Sequence, residues 1–325
     1  MKIVANFDCE LEWAASGPLP ARVRAKLAAL GTLLRALAPI GDEAELVLLG
    51  PVDRARVPEI DGVRWRVASD PSGAELRWGA PASDVIRRVA DRRFALALRD
   101  RLGVALGGTR VIDSPDALDG ERGAWIAKAP ITAAGRDRVR RRGAPDAETR
   151  TRLARLIDRH GALVVEPWLD RICDVGQSGT IGDQIELLPA HALYVDATGG
   201  FAGIAITRAL PIDDAEHAQL REVARATGLA LRDAGYRGPF TIDAFAYRDA
   251  DGARRFHPLC EINPRLTFGF VARAWASRRP SSVVRRPEDE ITLRVGEGAP
   301  PSGSVPLLLP CAEDPTAAWL EISGD

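Results

Sequence analysis

Short apolar runs separated by polar punctuation mark out the elements of this chain. KIVANF at 2–7 and ELVLLG at 45–50 each close near a turn. Between them, 19–37 repeats Ala, Leu and Arg at helical spacing. This strand–helix–strand order predicts a small α/β unit, to which WRV at 65–67 adds a strand. The stretch 70–83 is rich in Pro, Gly and Ser and reads as a linker. Ser83 or Asp84 then caps a helix running to about Leu102, where Gly103 stops it. TRVID at 109–113 is strand-like, and Ser114 caps a turn begun by Pro115. AWIAKAP at 124–130 is a strand ending at Lys128, followed by a basic, irregular stretch over 131–145. An amphipathic helix at 147–160 closes at Gly161, and ALVVEPWL at 162–169 is a buried strand that breaks at Pro167. Alternation with Gly turns over 172–208 predicts strands, and Asp213 or Asp214 caps a long helix to about Gly235. The run 238–269 reads as two strands joined by a polar turn at 249–252, with a short helix at 268–277 behind it. RRPSSVVRRPEDE reads as a loop, ITLRVGEG and the tail carry no pattern that places them, and there are no internal repeats.

With 325 residues, 46% hydrophobic and 27% charged, the chain has the balance of a globular protein of two or three compact units. A net charge of −1 gives no electrostatic case for nucleic acid or an anionic membrane. No run approaches the roughly 18 apolar residues that span a bilayer. The charges in MKIVANFDCELEW come too early for a signal peptide, so this stretch is expected to be a first strand. The four cysteines, Cys9, Cys173, Cys260 and Cys311, form no CxxC pair, which points away from zinc or a disulfide framework and toward a reduced, cytoplasmic setting. Only three of 44 basic residues are lysines (Lys2, Lys26, Lys128), and only two asparagines occur (Asn6, Asn263). A mid-chain Lys or Asn is therefore more telling here than usual.

Asp243 lies on the first strand of the 238–269 pair, and Glu261 and Asn263 on the second. Residues two apart on a strand share a face, and a closed hairpin sets Asp243 beside them. Two carboxylates and an amide oxygen suit a hard cation such as Mg²⁺ (or Mn²⁺), unless the set is exposed and plainly solvated. Arg265 continues on the same side and can fix a carboxylate or phosphoryl group. Lys128, at a strand end, can reach phosphates or stand in solvent. The following loop carries Arg136, Arg138, Arg140, Arg141 and Arg142 but matches no P-loop or dinucleotide fingerprint. The Pro167 break in Glu166-Pro167-Trp168-Leu169 frees backbone groups for an adenine edge, or simply ends a strand. Asp170 and Asp174 can accept from ribose hydroxyls, or be surface carboxylates. His160, His191, His217 and His257 form no ligand-like pair and read as structural or surface residues.

Taken in order, ADRRF opening a helix, WIAKAP, the basic loop, VVEPWLDR and FTIDAFAY…CEINPR resemble the ATP-grasp superfamily of carboxylate–amine ligases over about residues 84–277. The resemblance implies an α/β (α+β) ATP-grasp fold. Two α+β subdomains, 84–162 and 163–277, would enclose ATP behind a small α/β domain at 1–83, with a C-terminal extension at 278–325. It implies transfer of the γ-phosphate to a substrate carboxylate and attack on the acyl phosphate by an amine or other nucleophile. Two alternatives are a kinase that stops at phosphoryl transfer and a nucleotide-binding scaffold without turnover. The implied partners are a small-molecule carboxylate and amine, and many relatives form homodimers. By resemblance, Lys128 holds phosphates, and Glu166, Pro167, Trp168 and Leu169 hold adenine. Asp170 or Asp174 faces ribose, Asp243, Glu261 and Asn263 hold Mg²⁺, and Arg265 faces the reacting group. Arg92 and Arg93 stand where many members carry a second phosphate-binding lysine.

Overall fold

A computed structural model of the chain describes residues 1–132, 136–196, 200–278 and 290–323. Three sheets organise it. The first contains β1 (Lys2–Val4), β2 (Glu43–Val47), β3 (Arg64–Val67) and β4 (Leu76–Arg77), with helices α1 (Cys9–Trp13) and α2 (Ala21–Gly31) between β1 and β2. All of its pairings are parallel, in the order β3-β2-β1-β4. Strand β4 falls inside the stretch expected to be a linker. Its pairing with Ile3 and Val4 covers the open edge of β1 and buries Ile3 completely. Strand order reverses between β1 and β4, the kind of point at which parallel sheets place their binding crevices. Asn6 clasps that point: its amide donates to the Gly79 carbonyl at 2.9 Å and accepts from the Gly79 N–H at 3.1 Å.

The second unit comprises α3 (Asp84–Ala90), α4 (Arg92–Leu102), β5 (Arg110–Ile112), β6 (Ala124–Lys128), β7 (Arg138–Arg142), α5 (Ala147–His160) and β8 (Leu163–Pro167), with sheet order β5-β8-β6-β7. The single helix expected over 84–102 is two helices. Asp91 is extended (φ −70°, ψ 127°) and its carboxylate accepts from the Arg93 N–H, capping α4. The break frees the Arg92 N–H to donate to the Pro130 carbonyl at 2.9 Å, which anchors the start of α4 at the end of β6. Strand β7 occupies a stretch expected to be irregular. Only Val139 of that strand is buried, under a run of arginines. The arginines lie on partners: the Arg140 guanidinium sits 4.0 Å from the Trp168 ring, and Arg141 Nη1 bonds Asp146 at 2.7 Å. Of the expected phosphate loop, Gly135 lies outside the described residues.

The third sheet has nine strands: β9 (Asp170–Ile181), β10 (Ile185–Leu187), β11 (His191–Val195), β12 (Phe201–Ile206), β13 (Gly238–Arg248), β14 (Arg254–Asn263), β15 (Glu290–Glu297), β16 (Val305–Leu308) and β17 (Thr316–Ser323). Helix α6 (Asp214–Asp233), with a capping box from Asp213 and Glu216, precedes β13, and α7 (Phe268–Ser277) follows β14. The order is β14-β13-β9-β11-β12-β15-β17-β16, with β10 paired to β9. The unplaced tail thus supplies β15, β16 and β17, which extend this same sheet. Most of the expected loop between α7 and β15 lies outside the described residues. One apolar core joins the first unit to this sheet, through Ile3, Leu33, Trp275 and Phe240 among others.

Candidate functional site

Strands β9, β13 and β14 present a grid of side chains to one face. Directly opposed residues of antiparallel neighbours lie on the same side of a sheet. Three rungs result: Ser178–Thr241–Asn263, Gly176–Asp243–Glu261, and Asp174–Phe245–His257. Asp243 therefore stands opposite Glu261, and Asn263 Nδ2 donates to Asp243 Oδ2 at 3.0 Å. The register slips between Asp243 and Phe245, where β14 gains residues around Pro258. Proline has no N–H for the ladder, and a bulge there re-aims its neighbours.

Glu261 meets a cation from outside the sheet: Arg92 Nη2 lies 2.7 Å from its Oε1. Arg92 Nη1 also donates to the Ala129 carbonyl at 3.3 Å. Seven residues along α4, on the same helical face, Arg99 Nη1 bonds Glu166 Oε1 at 2.6 Å and Nη2 bonds the Cys260 carbonyl. Lys128 Nζ takes the other Glu166 oxygen, Oε2, at 2.6 Å. Burial pushes the Glu166 carboxyl up, but Lys128 and Arg99 outweigh it and hold the group far below the usual carboxylate range.

The two sheet carboxylates are driven apart. Burial first, then the Glu261 charge, raises Asp243 to about 7, against smaller pulls from the Asn263 bond and Arg265. Burial also raises Glu261, but Arg92, Lys128 and Arg265 together bring it below its ordinary value. Among the described residues, no group of three or more His, Cys, Asp or Glu side chains is placed to hold a metal. The set on the grid is two carboxylates and an amide. Its donor chemistry fits a cation that keeps waters and borrows phosphate oxygens, and the raised Asp243 is a carboxyl short of counter-charge.

Between the wall made by β6 and β8 and the grid runs a narrow cleft. Ile126, Lys128 and Glu166-Pro167-Trp168-Leu169 line one side, and Phe245, His257 and Cys260 the other. The structure thus brings together Lys128, Glu166, Pro167, Trp168 and Leu169, with Asp243, Glu261, Asn263 and Arg92 beside them. Asp174 is buried on the third rung and bonded to Arg171 Nη1 at 2.6 Å, whereas Asp170 is exposed at the start of β9. Arg93 turns away to Asp91, its Nη2 2.5 Å from Oδ2. Arg265 Nε bonds the buried Glu10 carboxylate of α1, with the Trp78 ring 5.4 Å from its guanidinium carbon. Glu10, Arg99 and His257 also belong to this neighbourhood, although no sequence motif marks them as site residues. The seven-residue spacing of Arg92 and Arg99 could have revealed Arg99. Glu10 just beyond β1 could have been found from the crevice rule for parallel sheets. His257 carried no such mark, because the bulge at Pro258 hides its face.

These features belong to one known architecture, the ATP-grasp fold, and the chain adopts it over essentially its whole length. It is similar to biotin carboxylase from Campylobacter jejuni, solved as a beta-gamma-ATP complex, with a TM-score of 0.59 and 11% identity over 99% of this chain and 87% of that one. It is similar to N5-carboxyaminoimidazole synthetase from Staphylococcus aureus complexed with ADP, with a TM-score of 0.54 and 12% identity over 99% of this chain and 86% of that one. Phosphoribosylamine–glycine ligase from Thermotoga maritima gives a TM-score of 0.55 and 14% identity over 100% of this chain and 92% of that one. No protein-family model and no curated protein matches the sequence. No helix among the described residues is long and apolar enough to cross a membrane.

Proposed function

We propose that the protein is an ATP-dependent ligase that joins a small carboxylate to an amine through an acyl phosphate, releasing ADP and phosphate. The observation that carries this reading is the Asp243–Glu261–Asn263 set on the grid, next to the cleft lined by the Lys128–Glu166 pair and within reach of the Lys128 charge. Structural neighbours solved as complexes with beta-gamma-ATP or ADP support it.

In this reading the nucleotide base lies against Ile126, Phe245 and the Glu166-Pro167-Trp168-Leu169 break, whose backbone meets its edge. Asp174 faces ribose. Lys128 turns from Glu166 to the phosphates, while Arg99 keeps the Glu166 charge balanced, and Arg92 adds a second cation in place of the lysine common in the superfamily. Asp243, Glu261 and Asn263 would hold Mg²⁺ or Mn²⁺, with the Asn263 amide rotated to present its oxygen. Such an ion neutralises phosphate charge and fixes the phosphoryl group in line. Arg265, oriented by Glu10, holds the acceptor carboxylate. A carboxylate oxygen attacks the γ-phosphorus, and the bond to the β–γ bridging oxygen breaks to release ADP. The amine nitrogen then attacks the acyl carbon, expels phosphate and loses its proton. Positioning and charge neutralisation supply most of the rate. Residues 84–162 act as the lid in this scheme, and 163–277 as the base.

The test follows ADP release with ATP, Mg²⁺ or Mn²⁺, and pools of carboxylates with and without amines. ADP that requires both pools is the expected result. ADP from one pool alone would replace the ligase with a kinase, and ATP binding without ADP from any pool would leave a nucleotide-binding scaffold.

A further inference from the structure

The His257 imidazole is 3% exposed and lines the cleft, yet its Nε2 has no hydrogen-bond partner. Most polar groups around it are already engaged, the buried Arg99 Nε, which likewise has no partner, excepted. Arg99 and Lys128 share Glu166, Arg99 also bonds the Cys260 carbonyl, and Arg171 bonds Asp174. A buried polar atom without a partner is costly and uncommon, so a missing partner from outside the chain is the economical explanation. The ring stands edge-on to Phe245, with centroids 5.2 Å apart and planes at 63°. Phe245 and His257 form the rung next to Asp243 and Glu261, two residues along β13, or about 6.7 Å at the usual strand rise. In the nucleotide reading, phosphates at Asp243 and Glu261 put the nucleoside toward Phe245 and His257, where it would displace the Arg171 guanidinium that lies 4.0 Å from the Phe245 ring centroid. Burial, together with the positive charges of Arg99, Arg171 and Lys128, holds His257 neutral, pushed down to about 3. A neutral ring suits a base edge, not a phosphate.

We propose that His257 is a specificity-determining contact for the nucleotide, its Nε2 hydrogen-bonding the edge of the base that lies against Phe245. This rests on the nucleotide reading of the cleft given above. It also explains why the unliganded fold tolerates an unsatisfied nitrogen: the atom is reserved for the ligand.

The experiment compares wild type, His257→Phe and His257→Gln by calorimetric titration with ATP and with CTP, and by thermal melting without nucleotide. Phe keeps the ring volume and removes the polar atom. Gln places an amide near the position of Nε2. The expected result is ATP affinity roughly tenfold weaker in His257→Phe, within the range of one hydrogen bond, with CTP affinity unchanged. Affinity for ATP is largely restored in His257→Gln, and the unliganded melting temperature of His257→Phe equals or exceeds that of wild type. Unchanged ATP affinity in His257→Phe overturns the proposal. So does an equal loss for ATP and CTP, which makes any contact blind to the base, or a His257→Phe protein that melts early or fails to fold, which makes the residue structural. A wild-type protein that binds no nucleotide removes the nucleotide reading itself, and this assignment falls with it.

Discussion

Lys128 and Glu166 meet diagonally across strands β6 and β8, with Nζ 2.6 Å from Oε2. The second Glu166 oxygen belongs to Arg99, whose side chain is 4% exposed against 15% for Lys128. The carboxylate is therefore held by one fixed cation and one that can leave. Such an arrangement lets Lys128 move to an arriving phosphate without stranding a buried charge.

Glu166→Gln is expected to destabilise the protein by about 3 kcal/mol at pH 7, because it leaves two cations beside a neutral amide in a buried site. The folded carboxyl titrates below its unfolded value, so its contribution is fully present above the unfolded value near 4.5. That contribution fades as pH falls through the acid range. Urea unfolding of wild type and variant should thus differ most at pH 7, and the gap should narrow steadily only once pH falls below about 4.5. A gap independent of pH would contradict the ion-pair account.

Asp243 makes the opposite prediction. Its folded carboxyl is raised to about 7, so the folded state holds its proton more tightly than the unfolded chain. Stability is therefore lost as pH rises from the unfolded value toward 7. In metal-free buffer Asp243→Asn should be more stable than wild type at pH 8, on the order of 2–4 kcal/mol, and equal to it near pH 4. The same variant should lose turnover. Equal stability at both pH values would mean that the carboxyl is solvated.

Arg92 is the first of the cations that keep Glu261 ionised. Its replacement by Met should raise the Glu261 carboxyl and move the acid limb of the kcat profile to higher pH by roughly one unit. Arg92→Lys should restore part of the shift. A profile in Arg92→Met that superimposes on wild type would remove Arg92 from the site.

Much of this arrangement could be read from residue order. The E-x-N spacing on an otherwise apolar strand put Glu261 and Asn263 on one face, and the polar turn at 249–252 brought Asp243 opposite. Caps were legible too: Ser83, Ser114, Asp213 and Gly103 act where local chemistry places them. What stayed hidden depends on distant partners. Arg138–Arg142 carries no strand pattern, and forms one only because β6 offers an edge. Leu76 and Arg77 become a strand through Ile3 and Val4. The kink at Asp91 follows from a cap inside an apparently continuous helix, and it is what aims Arg92 at Glu261. Arg265 showed its side of the strand, but nothing nearby in the sequence announced Glu10, 255 residues away, as its partner.

The rung that carries Asp243 and Glu261 continues through Gly176 to His191 of β11. A Cβ at Gly176 would fall 2.4 Å from His191 Nε2, and one at Gly269 would fall 2.6 Å from His191 Cε1. Neither glycine has a positive φ, so space and not backbone conformation requires them. They form a slot between β9 and the first turn of α7 that receives the imidazole. Gly176→Ala should therefore cost about 1–3 kcal/mol, the usual range for overpacking. His191→Ala should also destabilise, by emptying the slot. The double variant should be much less unstable than the sum, because the added methyl enters the space that the ring leaves. Urea midpoints of the four proteins give the coupling directly. Additive losses would show that the two residues do not share one volume, and the slot would then have to be formed by something other than the histidine ring.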